Sequence, residues 1–201
     1  MMTRINVALK PPDDVTTRLV SLAQDLLPAG RTLSRIGDLG SLPHLTLYMA
    51  EFQPQDVGAV QKRITAIAPD LTAAACDAQG ISCTAGGYLE IAYAKSAALV
   101  RMQQVIARSV QDLALPVAMP AHVTPTADQR RNLEIYRYEL MGDSFRPHVT
   151  LGRLVPYGSV TFHNQPFAAL SFLPEDLSVA EADEHGAARR LLTLAAIGED
   201  G

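Results

Sequence analysis

Apolar and polar positions alternate from Arg4 to Lys10, and Pro11-Pro12 ends the run, so the chain opens on a short strand. Asp13 or Asp14 then offers an N-cap to a helix whose apolar Val15, Leu19, Leu22 and Leu26 recur at helical spacing. That helix stops near Pro28-Ala-Gly30, a polar loop runs through Gly40, and Pro43 opens an apolar strand from His44 to Phe52. Val57 to Ala68 reads as a second helix. Leu71 to Cys76 and Ile81 to Thr84 read as strands around a turn at Asp77-Ala-Gln-Gly80, and Tyr88 to Tyr93 alternates clearly. A long amphipathic helix, Ala97 to Leu113, offers Val100, Val105, Ile106, Val110 and Leu113 to the core. The chain closes on a hairpin, Ser178 to Ala182 and Arg189 to Ile197, around Asp183-Glu-His-Gly186.

Strand-then-helix therefore occurs twice, at an offset of about 84 residues, while two His-x-Thr triplets lie about 104 apart. The difference falls where Pro116, Pro120 and Pro125 mark an irregular insertion, about residues 115–145. Duplication with one inserted loop is the economical reading, and the absence of a linker makes residues 1–201 a single bilobal domain.

Composition narrows the partners. Hydrophobic residues make up 48% of 201, ample for a core. The formal net charge of -4 argues against a surface that holds long nucleic acid by neutralising phosphates. Met1 to Leu9 is too short and mixed for a signal peptide, and no stretch approaches the roughly 18 apolar residues of a membrane span. A cytoplasmic monomer with no membrane partner is expected. Cys76 and Cys83 lack zinc-site spacing and are expected to be buried free thiols.

The candidate chemistry lies in His44-Leu45-Thr46 and His148-Val149-Thr150. Side chains alternate across a strand, so His44 and Thr46 share one face and Leu45 and Leu47 the other. The second motif repeats this with His148 and Thr150 against Val149 and Leu151. Pro43 and Pro147 precede the histidines and favour extended backbone there. Two imidazoles across a cleft can serve as general base and general acid near neutral pH, and threonine hydroxyls can donate to phosphate oxygens as charge builds. No metal and no cofactor is required. His122-Val123-Thr124 matches the same triplet, but Pro125 follows it and opposes extended pairing, whereas Leu151 to Val155 continues the strand after His148.

With Pro-His-apolar-Thr-Leu at residues 43–47 and 147–151, the chain resembles the two-histidine (2H) phosphoesterase superfamily, and within it the LigT-like branch of 2'-5' RNA ligases and RNA 2',3'-cyclic phosphodiesterases. The resemblance implies a bilobal α+β fold with two antiparallel sheets related by a pseudo-twofold axis, helices outside and a central groove. It implies His44 and His148 as the acid-base pair and Thr46 and Thr150 as phosphate clamps. The implied substrate is a nucleotide or RNA end carrying a ribose 2',3'-cyclic phosphate, opened to a 2'-phosphate, with His44 as acid to the 3'-oxygen and His148 as base to water; that order stays open. Arg153 resembles the basic residue that often follows the second motif. Tyr48, on the His44 face by strand alternation, is a candidate base platform.

Arg130, Arg131, Tyr136, Arg137 and Tyr138 of the insertion can form a lid or an ordinary surface loop. His163, Asp183, Glu184 and His185 fit no established metal motif. There is no phosphate-binding Gly-x-x-x-x-Gly-Lys loop and no Gly-x-Ser-x-Gly elbow. The alternatives are hydrolysis of another 2'-linked or cyclic phosphodiester, and a nucleotide-binding protein without turnover.

Overall fold

The computed structural model describes residues 2–27, 32–84, 86–116, 125–154, 167–183 and 185–198. His122 and His163 lie outside the described residues. In chain order the elements are β1 (Thr3–Lys10), α1 (Asp13–Leu26), β2 (Thr32–Arg35), β3 (Leu45–Phe52), α2 (Val57–Ile67), β4 (Ala78–Cys83), β5 (Tyr88–Tyr93), α3 (Ala97–Val110), α4 (Ala127–Tyr136), β6 (His148–Leu154), β7 (Asp176–Ala182) and β8 (Ala188–Ala196).

The eight strands form one antiparallel sheet in the order β4-β5-β6-β3-β1-β7-β8, with β2 paired to β6. Two separate sheets were expected. Instead the halves β3-β1-β7-β8 and β4-β5-β6-β2 are joined at a seam between β3 and β6, through Leu45 and Val149. A contact that short leaves the halves free to splay, and the groove opens where they diverge.

One face of the sheet is sealed. Ile5, Val7, Leu9, Leu45, Leu47, Val149 and Leu151 are fully buried, as are Leu19, Ile64, Leu99 and Ile106 from the helices. Burying one such aliphatic side chain contributes about 1.5–3 kcal/mol. α1 packs on β6, α3 on β3, and α2 on both α3 and β8. Ser96 caps α3 by accepting from Leu99 N–H at 3.1 Å. Asp13 and Asp14 occupy the first turn of α1, where their charge complements the helix dipole, but neither caps it.

Several expected elements differ. Leu71 to Cys76 makes only isolated bridges, Thr72 to Gly198 and Cys76 to Phe172, so Leu71, Ala74 and Cys76 are buried without a ladder. The turn expected at Asp77–Gly80 is largely strand: Ala78 pairs with Tyr93 and Gly80 with Ala92. β2 replaces part of the polar loop before Gly40, and α4 lies within the insertion. Cys76 is buried, and desolvation pushes its thiol up to about 12. Cys83 is exposed instead, and both cysteines are free. No helix among the described residues is long and apolar enough to cross a membrane.

Each motif strand carries a one-residue bulge directly after its threonine. Ala8 pairs with Thr46 and Val7 with Tyr48, leaving Leu47 extra; Glu90 pairs with Thr150 and Leu89 with Gly152, leaving Leu151 extra. Beyond the second bulge, β2 crosses so closely that a Cβ on Gly152 would meet Ser34 O, Leu27 Cδ1 at 2.6 Å and Arg35 Cα at 3.0 Å. Two of those three atoms are backbone and cannot rotate away. Gly152→Ala is therefore expected to destabilise the protein by about 1–3 kcal/mol, read as a lowered denaturant midpoint. An unchanged midpoint would mean that β2 does not cross β6 at this distance.

Candidate active site

The proline before each histidine does more than favour extended backbone. His44 Nδ1 lies 2.7 Å from Leu42 O, and His148 Nδ1 lies 2.7 Å from Arg146 O. In both cases the acceptor is the carbonyl two residues upstream, across a proline of restricted φ. A carbonyl can only accept, so each Nδ1 carries a hydrogen in this geometry. The two rings are thus held by the same local device.

Both histidines and both threonines line one groove, together with Ser34, Arg35, Met49, Tyr88, Glu139 and His185, among others. Antiparallel pairing of Leu45 with Val149 brings the two motifs together. Asn6, only 1% exposed, donates from Nδ2 to Thr46 Oγ1 at 2.9 Å, which leaves the Thr46 hydroxyl hydrogen available to the groove.

The histidines have unequal surroundings. Desolvation is the largest influence on His44 and lowers it from the ordinary histidine value, reinforced by the nearby charge of His148 and opposed by the carbonyls of Leu42 and Gly186 and by Asp183. His148 instead has the carboxylate of Glu90, with Oε1 3.7 Å from its Nε2. Glu90 is 7% exposed and pairs across the strands with Thr150; the corresponding partner of Thr46 is Ala8.

Tyr48 does not reach the groove. The bulge at Leu47 changes the alternation by one residue, so Leu47 and Tyr48 are both fully buried and Met49 takes the groove position. The Tyr48 hydroxyl donates to Tyr136 O at 2.7 Å, and its ring meets Tyr138 edge to face at 5.8 Å. Arg153 does not line the groove: its Nε donates to Gly86 O at 3.0 Å and its guanidinium lies 5.0 Å from the centre of the ring of Tyr88, which does.

The insertion supplies a groove wall, Tyr138, Glu139 and Leu140, rather than an arginine lid. Buried Gln103 of α3 anchors it, donating to Leu47 O at 3.0 Å and Leu140 O at 2.7 Å and accepting from Gly142 N–H. Arg130 and Arg137 donate to the carbonyls of Pro125 and Glu134, and neither lines the groove. Burial raises the Glu139 carboxyl above its ordinary value. Asp183 organises the β7–β8 turn, accepting from His185 N–H, Ala187 N–H and Arg189 Nε. Glu184 lies outside the described residues, and no group of three metal-ligating side chains converges among those that are described.

Fold and site together define a two-histidine groove: two His-x-Thr strands on one antiparallel sheet, with helices behind. The chain shares the fold of E. coli LigT, with a TM-score of 0.64 at 13% identity over 98% of this chain and 99% of that one. The TT0787 protein of Thermus thermophilus superposes with a TM-score of 0.65 at 15% identity over 98% and 100% of the two chains. A further structure, known only as a phosphoesterase, gives 0.65 at 14% identity over 98% and 99%. No protein-family model and no curated protein sequence matches the chain.

Proposed function

We propose that this protein is a metal-independent phosphodiesterase of the two-histidine type, which opens ribose 2',3'-cyclic phosphates on nucleotides or RNA ends to 2'-phosphates. The observation that carries the reading is the pair of imidazoles in one groove with Thr46 and Thr150, each with Nδ1 2.7 Å from the carbonyl two residues upstream. A binding protein has no need of two titrating groups held in this way. E. coli LigT, whose fold the chain shares, has been crystallised with NADP+, with phosphate and with 3'-AMP, which supports a nucleotide-sized ligand here. The matching bulges after Thr46 and Thr150 support an internal duplication.

The electrostatics favours one division of labour. Desolvated His44 is suited to be neutral and to act as base, while a proton on His148 Nε2 has Glu90 to face its charge. His44 Nε2 takes a proton from water, the oxygen attacks phosphorus, the bond to the 3'-oxygen breaks, and His148 Nε2 protonates that oxygen. Thr46 and Thr150 donate to the non-bridging oxygens. This reverses the order implied by family resemblance.

The test is a panel of the four 2',3'-cyclic nucleotides with the position of the product phosphate identified. Turnover should yield 2'-phosphates and survive chelator. The rate should rise with pH through a midpoint below 6.5, the ordinary histidine value from which His44 is lowered, because the base works neutral. Tight nucleotide binding without turnover would favour a binding protein, and hydrolysis confined to a 2'-5' linkage would move the substrate assignment.

A further inference from the structure

In the proposed chemistry Glu90 faces the proton on His148, and its position also bears on the substrate. It is a nearly buried carboxylate on a strand next to a site for anions, with Oε1 3.7 Å from His148 Nε2 and Thr150 as its cross-strand partner. Cross-strand partners project to the same face, so Glu90 stands on the groove side of the sheet, behind His148 and Thr150. A phosphate held by His148 Nε2 and the Thr150 hydroxyl lies about one ionic group away from this fixed negative charge, in a setting where charges are only partly screened. The other half of the site has no counterpart, because Ala8 holds the corresponding place beside Thr46. Nor is the remaining wall strongly cationic: Arg35 is engaged by Asp38 at 3.1 Å, and Glu139 adds a second carboxyl.

We infer that Glu90 is a specificity-determining residue that makes the groove accept a singly charged phosphodiester and reject a doubly charged phosphomonoester. The inference rests on the phosphodiesterase reading and adds a direction to it. A cyclic or linear diester carries one negative charge. Ring opening creates a monoester that gains a second charge near neutral pH, since its second ionisation lies at about 6. That charge appears beside Glu90, and the repulsion favours release of product. His148 offsets one unit of substrate charge only while protonated, and by the proposed chemistry it has just given its proton to the leaving oxygen.

The experiment measures binding of two ligands at pH 8 by calorimetry: 2'-AMP, a doubly charged monoester, and the deoxydinucleotide d(ApA), a singly charged diester. Glu90→Gln keeps the shape of the side chain and removes its charge. It should tighten 2'-AMP by about tenfold while changing d(ApA) by less than about threefold, the discrimination expected of one partly screened charge. Glu90→Asp keeps the charge and should keep the wild-type ratio. Glu90→Ala reports the same ratio if the Gln variant does not fold. Equal changes for both ligands, or no change for either, would overturn the inference while leaving the phosphodiesterase reading intact. Failure of the wild-type protein to bind either ligand would overturn both.

Discussion

Alanine at His44 or at His148 is expected to lower kcat on a 2',3'-cyclic nucleotide by about 10² to 10⁴, the range for loss of one general acid or base. Both rings are half-buried at the groove rather than packed in the core, so each variant should remain folded with a near-native thermal midpoint. The two should fail differently. His44→Ala removes the base, so its residual rate should lose the acidic limb of the pH profile; His148→Ala should keep it. The double variant should be scarcely worse than the weaker single, because groups that act on one transition state are strongly non-additive. Retention of wild-type kcat in either single variant would sink the acid-base assignment. Loss of the acidic limb in His148→Ala rather than in His44→Ala would keep the pair but restore the order implied by family resemblance.

Much of this site is legible because its signal is short-range. Pro43-His44-Leu45-Thr46 and Pro147-His148-Val149-Thr150 state which side chains face the groove, and burial agrees: Leu45, Leu47, Val149 and Leu151 are fully enclosed while the histidines and threonines line the opening. Alternation fails where the backbone stops alternating. Nothing in Leu47-Tyr48 announces a bulge, since an extra residue shows itself only against its partner strand, and the Tyr48 assignment was lost to it.

Glu90 was accessible in principle, as a charged residue on the Tyr88-Glu90-Ala92 face of an alternating strand, but only pairing of β5 with β6 brings it to His148. Asn6 on β1 reaches Thr46 by the same kind of long-range pairing. α4 escaped for a different reason. No residue of it is buried, so it has no apolar stripe, and its signature is the capping box Thr126-Ala-Asp-Gln129, with Thr126 Oγ1 accepting from Gln129 N–H and Gln129 Oε1 from Thr126 N–H. β2 is four residues long, and its place beside β6 depends on Gly152, whose missing side chain admits it.

Valine at Thr46 or Thr150 is the second large loss expected. The substitution keeps the branched shape and removes the hydroxyl, so a donor aimed at the phosphate oxygens disappears with little effect on packing. A fall in kcat of about 10² to 10³ is expected for each, with a smaller change in KM, because the donated bond strengthens as charge builds in the transition state. The two clamps differ in how they are held. Asn6 Nδ2 fills one lone pair of Thr46 Oγ1 and directs its hydrogen into the groove, so Thr46→Ser should recover most of the activity in the presence of Asn6 and much less in an Asn6→Ala background. Thr150→Ser should be indifferent to Asn6, since that hydroxyl sits on the other half of the sheet. Equal response of the two serine variants to loss of Asn6 would refute the claim that its amide orients Thr46, and a valine variant with unchanged kcat would remove that threonine from the phosphate site.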